Sequence, residues 1–153
     1  MIENRISRAT EFTSAHGSPL KRTMPRILIG DDEQTTSEMA ATSHACYRIV
    51  SVRDGREAFR VLRQDSDFQA AIFNMTMPLL PGVDIVRYMK SEKRLMRIPV
   101  IIVSGDRGFT TVADSFAAGA LAFLAKPFAA EQLHRAIRLA IGSAASDDFA
   151  RAA

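Results

Sequence analysis

Cysteine is almost missing from this chain: Cys46 stands alone, so no internal disulfide can form and a disulfide-held scaffold is excluded. A reducing cytoplasm is the expected location. The three histidines, His16, His44 and His134, fall at no metal-ligand spacing with one another or with Cys46, which excludes a zinc site built from them. They form no recognisable thiol-imidazole pair either, and Cys46 is expected in packing. Long apolar runs are also lacking. Arg5 and Arg8 are followed by no apolar stretch, and no run elsewhere is long enough to span a bilayer, so neither an export signal nor a membrane span is expected. A strong charge of one sign is absent as well; the net charge is +3, with basic residues scattered along the chain. Arg87, Lys90, Lys93, Arg94 and Arg97 do cluster, but without interleaved aromatics or a helix-turn-helix pattern they read as a solvated helix face, and no nucleic-acid partner is expected.

What is present fits one globular unit. The chain has 153 residues, 47% of them apolar and 24% charged, enough for a single core. Residues 1–24 are rich in Ser, Thr, Arg and His without apolar periodicity and read as a flexible extension. Residues 25–142 carry the expected domain, and 143–153 a short polar tail with no further domain. Five short apolar runs read as strands: Ile27 to Ile29, Arg48 to Val52, Ala70 to Phe73, Val100 to Val103 and Leu121 to Leu124. Most lack polar alternation, as parallel strands covered on both faces do; the second alternates, which suits an edge.

Helical spacing fills the intervals. Leu133, Ala136, Ile137, Ala140 and Ile141 form a stripe that Gly142 is expected to close. Ala58, Val61 and Leu62 form another, Val83, Val86 and Met89 a third, and Val112 with Phe116 a fourth. Thr35 to Cys46 is assigned a helix mainly because a parallel crossover needs one. The β-α repeat implies an α/β fold, a three-layer sandwich whose ligands sit beyond the C-terminal strand ends.

Those ends hold the chemistry. Asp31-Asp32-Glu33 follows the first strand, Asn74 ends the third, Ser104 the fourth, and Lys126-Pro127 follows the fifth. Adjacent carboxylates suit a hard divalent cation such as Mg²⁺, while a lysine and a serine hydroxyl can contact phosphoryl oxygens. Each feature alone has a plainer reading, the acids as helix caps and the lysine as a loop residue before a helix-starting proline. Their joint placement at successive strand ends favours a shared pocket.

Asp31-Asp32-Glu33, Asn74-Met75-Thr76-Met77-Pro78 with Gly82, Ser104-Gly105 and Phe123-Leu124-Ala125-Lys126-Pro127-Phe128 together resemble the response regulator receiver domain over residues 25–142. The resemblance implies a flavodoxin-like fold with a parallel five-stranded sheet of order 2-1-3-4-5. It further implies an acidic pocket at Asp31 and Asp32, Mg²⁺ held there with the Thr76 backbone oxygen, switch positions at Ser104 and Phe123, and a phosphate-contacting lysine at Lys126. The phosphoacceptor aspartate of the family is replaced by Asn74.

A neutral, resonance-stabilised amide oxygen does not form a stable acyl phosphate, so the family's phosphorylation is expected to fail at Asn74 and Mg²⁺ binding to weaken. The chain then reads as a two-component signalling module, not an enzyme. The resemblance points to contact with a histidine kinase or a downstream protein through the fourth helix, fifth strand and fifth helix, where Arg107, Phe109, Phe123, His134 and Arg135 are candidates; a weak homodimer is compatible with the same reading. Two origins of Asn74 stay open: a natural receiver regulated by binding, or a phosphorylatable receiver carrying an engineered or erroneous Asp-to-Asn change. A flavin or nucleotide enzyme of similar architecture is disfavoured, because Asp31-Asp32-Glu33 places negative charge where a cofactor phosphate has to sit.

Overall fold

In a computed structural model of the chain, residues 24–42 and 46–152 are described, with side chains as far as residue 143. The apolar runs become β1 (Arg26–Gly30), β2 (Arg48–Val52), β3 (Ala70–Asn74), β4 (Val100–Ser104) and β5 (Ala122–Ala125). Helices α1 (Thr35–Ala40), α2 (Gly55–Gln64), α3 (Gly82–Ser91), α4 (Phe109–Ala118) and α5 (Ala130–Ala152) alternate with them. All neighbouring strands are parallel, in the order β2-β1-β3-β4-β5. The expected flavodoxin-like order is therefore present.

Side chains alternate across each strand, so one sheet feeds two cores. Leu28, Ala71, Phe73 and Ile102 pack with Ala58 and Leu62 of α2, Ile85 and Met89 of α3 and Ala118 of α4. Ile27, Ile29, Ile72, Ile101 and Val103 turn the other way, against Ala40 of α1 and Leu133, Ile137 and Ala140 of α5. Strands β3 and β4 are buried along their whole length, which is why they carry no polar alternation.

Five expectations need correction. Helix α1 stops at Ala40 rather than Cys46, where the Thr42 hydroxyl donates to the Met39 carbonyl at 2.7 Å and draws off an acceptor at the helix end. Cys46 is consequently exposed on the way into β2, not packed. Gly142 does not close α5, which continues to Ala152; the alanines that follow are strong helix formers. The Val112 and Phe116 stripe does not face the core: Phe116 is 48% exposed, while Ser115 and Ala118 are the buried residues of α4. Small side chains let this helix approach the sheet closely, so its bulky face points outward. Strand β5 begins one residue later than expected, at Ala122. The expected extension falls outside the described residues except for Met24.

The site end of the sheet depends on one close approach. Gly82 opens α3, its amide donating to the Met75 carbonyl at 3.0 Å. A Cβ there would run into the Asn74 carbonyl, so glycine lets the helix start directly against the end of β3.

Candidate functional site

Each side chain of the site is delivered by a strand end. Asp31 follows β1, and its amide extends the parallel ladder by donating to the Val52 carbonyl at 3.1 Å. Its carboxylate is buried, with 4% of the residue exposed, and is ringed by donors. One oxygen accepts from the Thr36 hydroxyl at 2.5 Å and from Lys126 Nζ at 3.1 Å. The other accepts from the Glu33 amide at 3.1 Å and from Asn74 Nδ2 at 3.3 Å. A buried carboxylate is tolerated when it is paired and hydrogen-bonded on this scale.

Asn74, at the end of β3, is also buried. Besides Asp31, its Nδ2 reaches Asp32 Oδ1 at 3.2 Å and the Thr76 carbonyl at 3.3 Å. The amide orientation follows from the neighbours: three acceptors face this atom, and only the NH₂ end can donate to them. Asp32 and Glu33 are exposed. Lys126 follows β5 and lies 3.1 Å from Asp31 and 3.7 Å from Glu33. The second carboxylate facing Lys126 is therefore Glu33.

Strands β1, β3 and β5 thus bring Asp31, Asp32, Asn74, Thr76 and Lys126 together. Ser104, buried at the end of β4, accepts from the Asp106 amide at 3.0 Å through Oγ, and its carbonyl accepts from the Lys126 amide at 2.8 Å. Phe123 on β5 is partly buried against the α2 and α3 side of the core. After β4, Asp106 is held ionised below the ordinary carboxylate range by the Thr111 hydroxyl, then by the Gly108 amide.

One member escapes a reading by strand ends, and another, read there, was not placed in the acidic pocket. Thr36 enters through the first turn of α1, and Glu33 joins Asp31 and Asp32 in a group whose carboxylate oxygens all lie within 4.8 Å of one another. A hydroxyl one helical turn past an acidic pair was the available signal for Thr36. Among the candidates for an interaction face, Phe109 is 88% exposed and Arg107 donates to the Lys126 carbonyl at 3.4 Å. Arg135 is exposed and pairs with Glu131 at 3.6 Å. His134 points elsewhere: it bonds the Thr42 hydroxyl at 3.1 Å and stacks on Tyr47 with ring centres 5.9 Å apart, so it faces α1 and the approach to β2. Phe116, which the expectation put inside, joins Phe109 on the open side of α4.

Residues 27–138 match the model of the response regulator receiver domain. The chain belongs to that family. Among relatives, the chemotaxis protein CheY1 of Helicobacter pylori is 26% identical over 121 residues, covering 77% of this chain and 98% of the relative. The chemotaxis response regulator CheY4 of Vibrio cholerae superposes with a TM-score of 0.69 at 24% identity, over 77% of this chain and 99% of that one. The beryllofluoride-activated NtrC4 receiver domain dimer has a TM-score of 0.69 at 26% identity, covering 78% and 98% of the respective chains. This receiver domain is accordingly a module of two-component signalling. No helix among the described residues is long and apolar enough to cross a membrane.

Receiver domains bind Mg²⁺ through an acidic cluster, and the oxygen-rich group at Asp31, Asp32 and Glu33 fits such a hard cation by donor type. In this receiver domain, however, amide hydrogens of Asn74 occupy the space between Asp31, Asp32 and the Thr76 carbonyl.

Proposed function

We propose that this receiver domain signals by protein contact and is not phosphorylated at position 74. The observation that carries the reading is the Asn74 amide, which donates to Asp31, Asp32 and the Thr76 carbonyl at 3.2 to 3.3 Å. An amide at the acceptor position offers no anionic nucleophile. It also supplies two of the positive ends that a cation would supply, which lowers the gain from binding one. Asp31, Asp32 and the Thr76 carbonyl are the groups that would hold Mg²⁺, whose chemistry is to offset charge on a phosphoryl oxygen; binding is weakened because the Asn74 amide must turn away first.

Contact with a histidine kinase or a downstream signalling protein is assigned to the face of α4, β5 and α5. The support is Phe109, Val112 and Phe116 at helical spacing on α4, with both phenylalanines exposed. A weak homodimer through this face is part of the reading, supported by the dimeric state of the NtrC4 receiver domain. The module is assigned to the cytoplasm and given no catalytic role of its own.

A second reading has its own support. Ser104, Phe123 and Lys126 keep the residue types of a phosphorylation-driven switch, as expected of a phosphorylatable receiver in which position 74 was changed from aspartate by design or error. Intact mass after incubation with Mg²⁺ and acetyl phosphate tests the matter. The protein as it stands is expected to gain no phosphoryl group, and Asn74→Asp to gain one. A phosphoryl group on the unaltered chain that persists in Asn74→Ala contradicts the assignment of position 74 as acceptor. Failure of Asn74→Asp to gain one removes the second reading.

A further inference from the structure

Between α2 and the loop after β3 lies an open cleft of about 490 Å³ that shares no residue with the Asn74 site. Arg56, Arg60 and Arg63 line it, with Phe59 and Leu80 supplying apolar surface, and no carboxylate is among its lining residues. The nearest acids along the chain are turned to other work. Asp54 caps α2 by accepting from the Glu57 amide at 2.8 Å, Glu57 itself accepts from the Arg53 amide at 3.2 Å, Asp65 pairs with Arg26 at 2.9 Å, and Asp84 pairs with Arg87 at 2.9 Å.

The walls are fixed rather than loose. The Gly55 amide donates to the Pro78 carbonyl at 3.0 Å, and the Leu80 carbonyl sits where a Cβ at Gly55 would be, so the loop is seated against the start of α2. Phe59 packs on Tyr88 with ring centres 4.6 Å apart, and the Arg63 guanidinium lies over the Phe59 ring at 5.8 Å.

We propose that this cleft docks an extended acidic segment of a partner protein, with an apolar side chain of that segment seated against Phe59 and Leu80. Charge complementarity selects the acidic partner: three guanidinium groups in a cleft with no carboxylate in its lining favour carboxylates and steer their approach. The layout selects an extended segment over a compact phosphate ligand. Positions 56, 60 and 63 lie along one face of a helix over about 10 Å, which about three residues of an extended chain span. A focal phosphate site draws its donors to one point, whereas these three arginines are strung along the helix and the start of α2 already gives its Glu57 amide to Asp54.

The test uses the full chain and fluorescence anisotropy with a labelled peptide of alternating glutamate and serine around a central leucine. Comparison probes carry serine for the leucine or glutamine for every glutamate, and a labelled thymidine oligonucleotide supplies phosphate charge without carboxylates. The combined variant Arg56→Gln, Arg60→Gln, Arg63→Gln is set against Arg48→Gln, Lys93→Gln, Arg138→Gln, which removes equal charge from other exposed positions. The acidic peptide is expected to bind and to lose on the order of tenfold or more in affinity in the cleft variant only, with smaller losses for the leucine-free probe and loss of binding for the glutamine probe. No binding of the acidic peptide overturns the proposal. So do equal losses in both variants, equal binding of the glutamine or leucine-free probe, or tighter binding of the oligonucleotide through the same arginines.

Discussion

Asn74 holds its neighbours together by donating, and that decides what a carboxylate in its place does. Asn74→Asp removes donors to Asp31, Asp32 and the Thr76 carbonyl and sets a third anion against two others in a partly buried site. Without metal at neutral pH, the variant is expected to be less stable by about 1 to 3 kcal/mol, the cost of crowding a third carboxylate against Asp31 and Asp32 while withdrawing their amide donor. Added Mg²⁺ is expected to raise its melting temperature more than that of the unaltered chain. Thermal unfolding with and without Mg²⁺ reads both, and an unchanged metal-free melting temperature in Asn74→Asp removes the crowded pocket from the account. The position itself was legible, because Asn74 ends an apolar strand opposite an acidic pair and a following lysine. The sharing of its two amide hydrogens among three acceptors was not: which end of an amide faces which oxygen depends on three chain segments, and no spacing rule encodes it. Glu33 as the second partner of Lys126 escaped for the same reason, since adjacent acids leave a strand end in different directions.

At the level of elements, α4 shows where periodicity misleads. Helical spacing marks a stripe without saying which side of it meets the sheet. Here the stripe of Val112 and Phe116 faces out, and the narrow side with Ser115 and Ala118 packs inward. The Ser115 hydroxyl donates to the Thr111 carbonyl at 2.9 Å, so even the polar group on that side is satisfied within the helix. Two substitutions separate the faces. Ser115→Leu is expected to destabilise the fold by about 1 to 3 kcal/mol through overpacking, whereas Phe116→Ser is expected to stay within about 0.5 kcal/mol of the parent. Denaturant unfolding of both variants checks this, and a larger loss for Phe116→Ser reverses the orientation argued for α4. By contrast, Leu133, Ile137 and Ala140 of α5 lie inside as their spacing suggested; the segment after Gly142 could be misjudged because a lone glycine weakens a helix without ending it.

Over the whole molecule, parallel strand order converts distant sequence into one site. Five apolar runs and their crossovers were enough to infer parallel strands, since buried parallel strands leave a direct trace in composition, while their order followed from the resemblance to the receiver family. The pairing it produces links Asp31 and Lys126, 95 residues apart in the chain, across a 3.1 Å contact. Asp31 is nearly inaccessible, with 1% of its side chain exposed, and Lys126 retains 20%, so removing the lysine strands a buried charge that the Thr36 hydroxyl, the Glu33 amide and Asn74 only partly compensate. Lys126→Met is therefore expected to cost about 2 to 4 kcal/mol, while the same change in an Asp31→Asn background costs markedly less, because no buried anion remains to be abandoned. A double-mutant cycle by denaturant unfolding measures the difference. Strict additivity of the two changes means that the Asp31–Lys126 pair adds nothing to stability, and that the lysine is held at the pocket for another purpose.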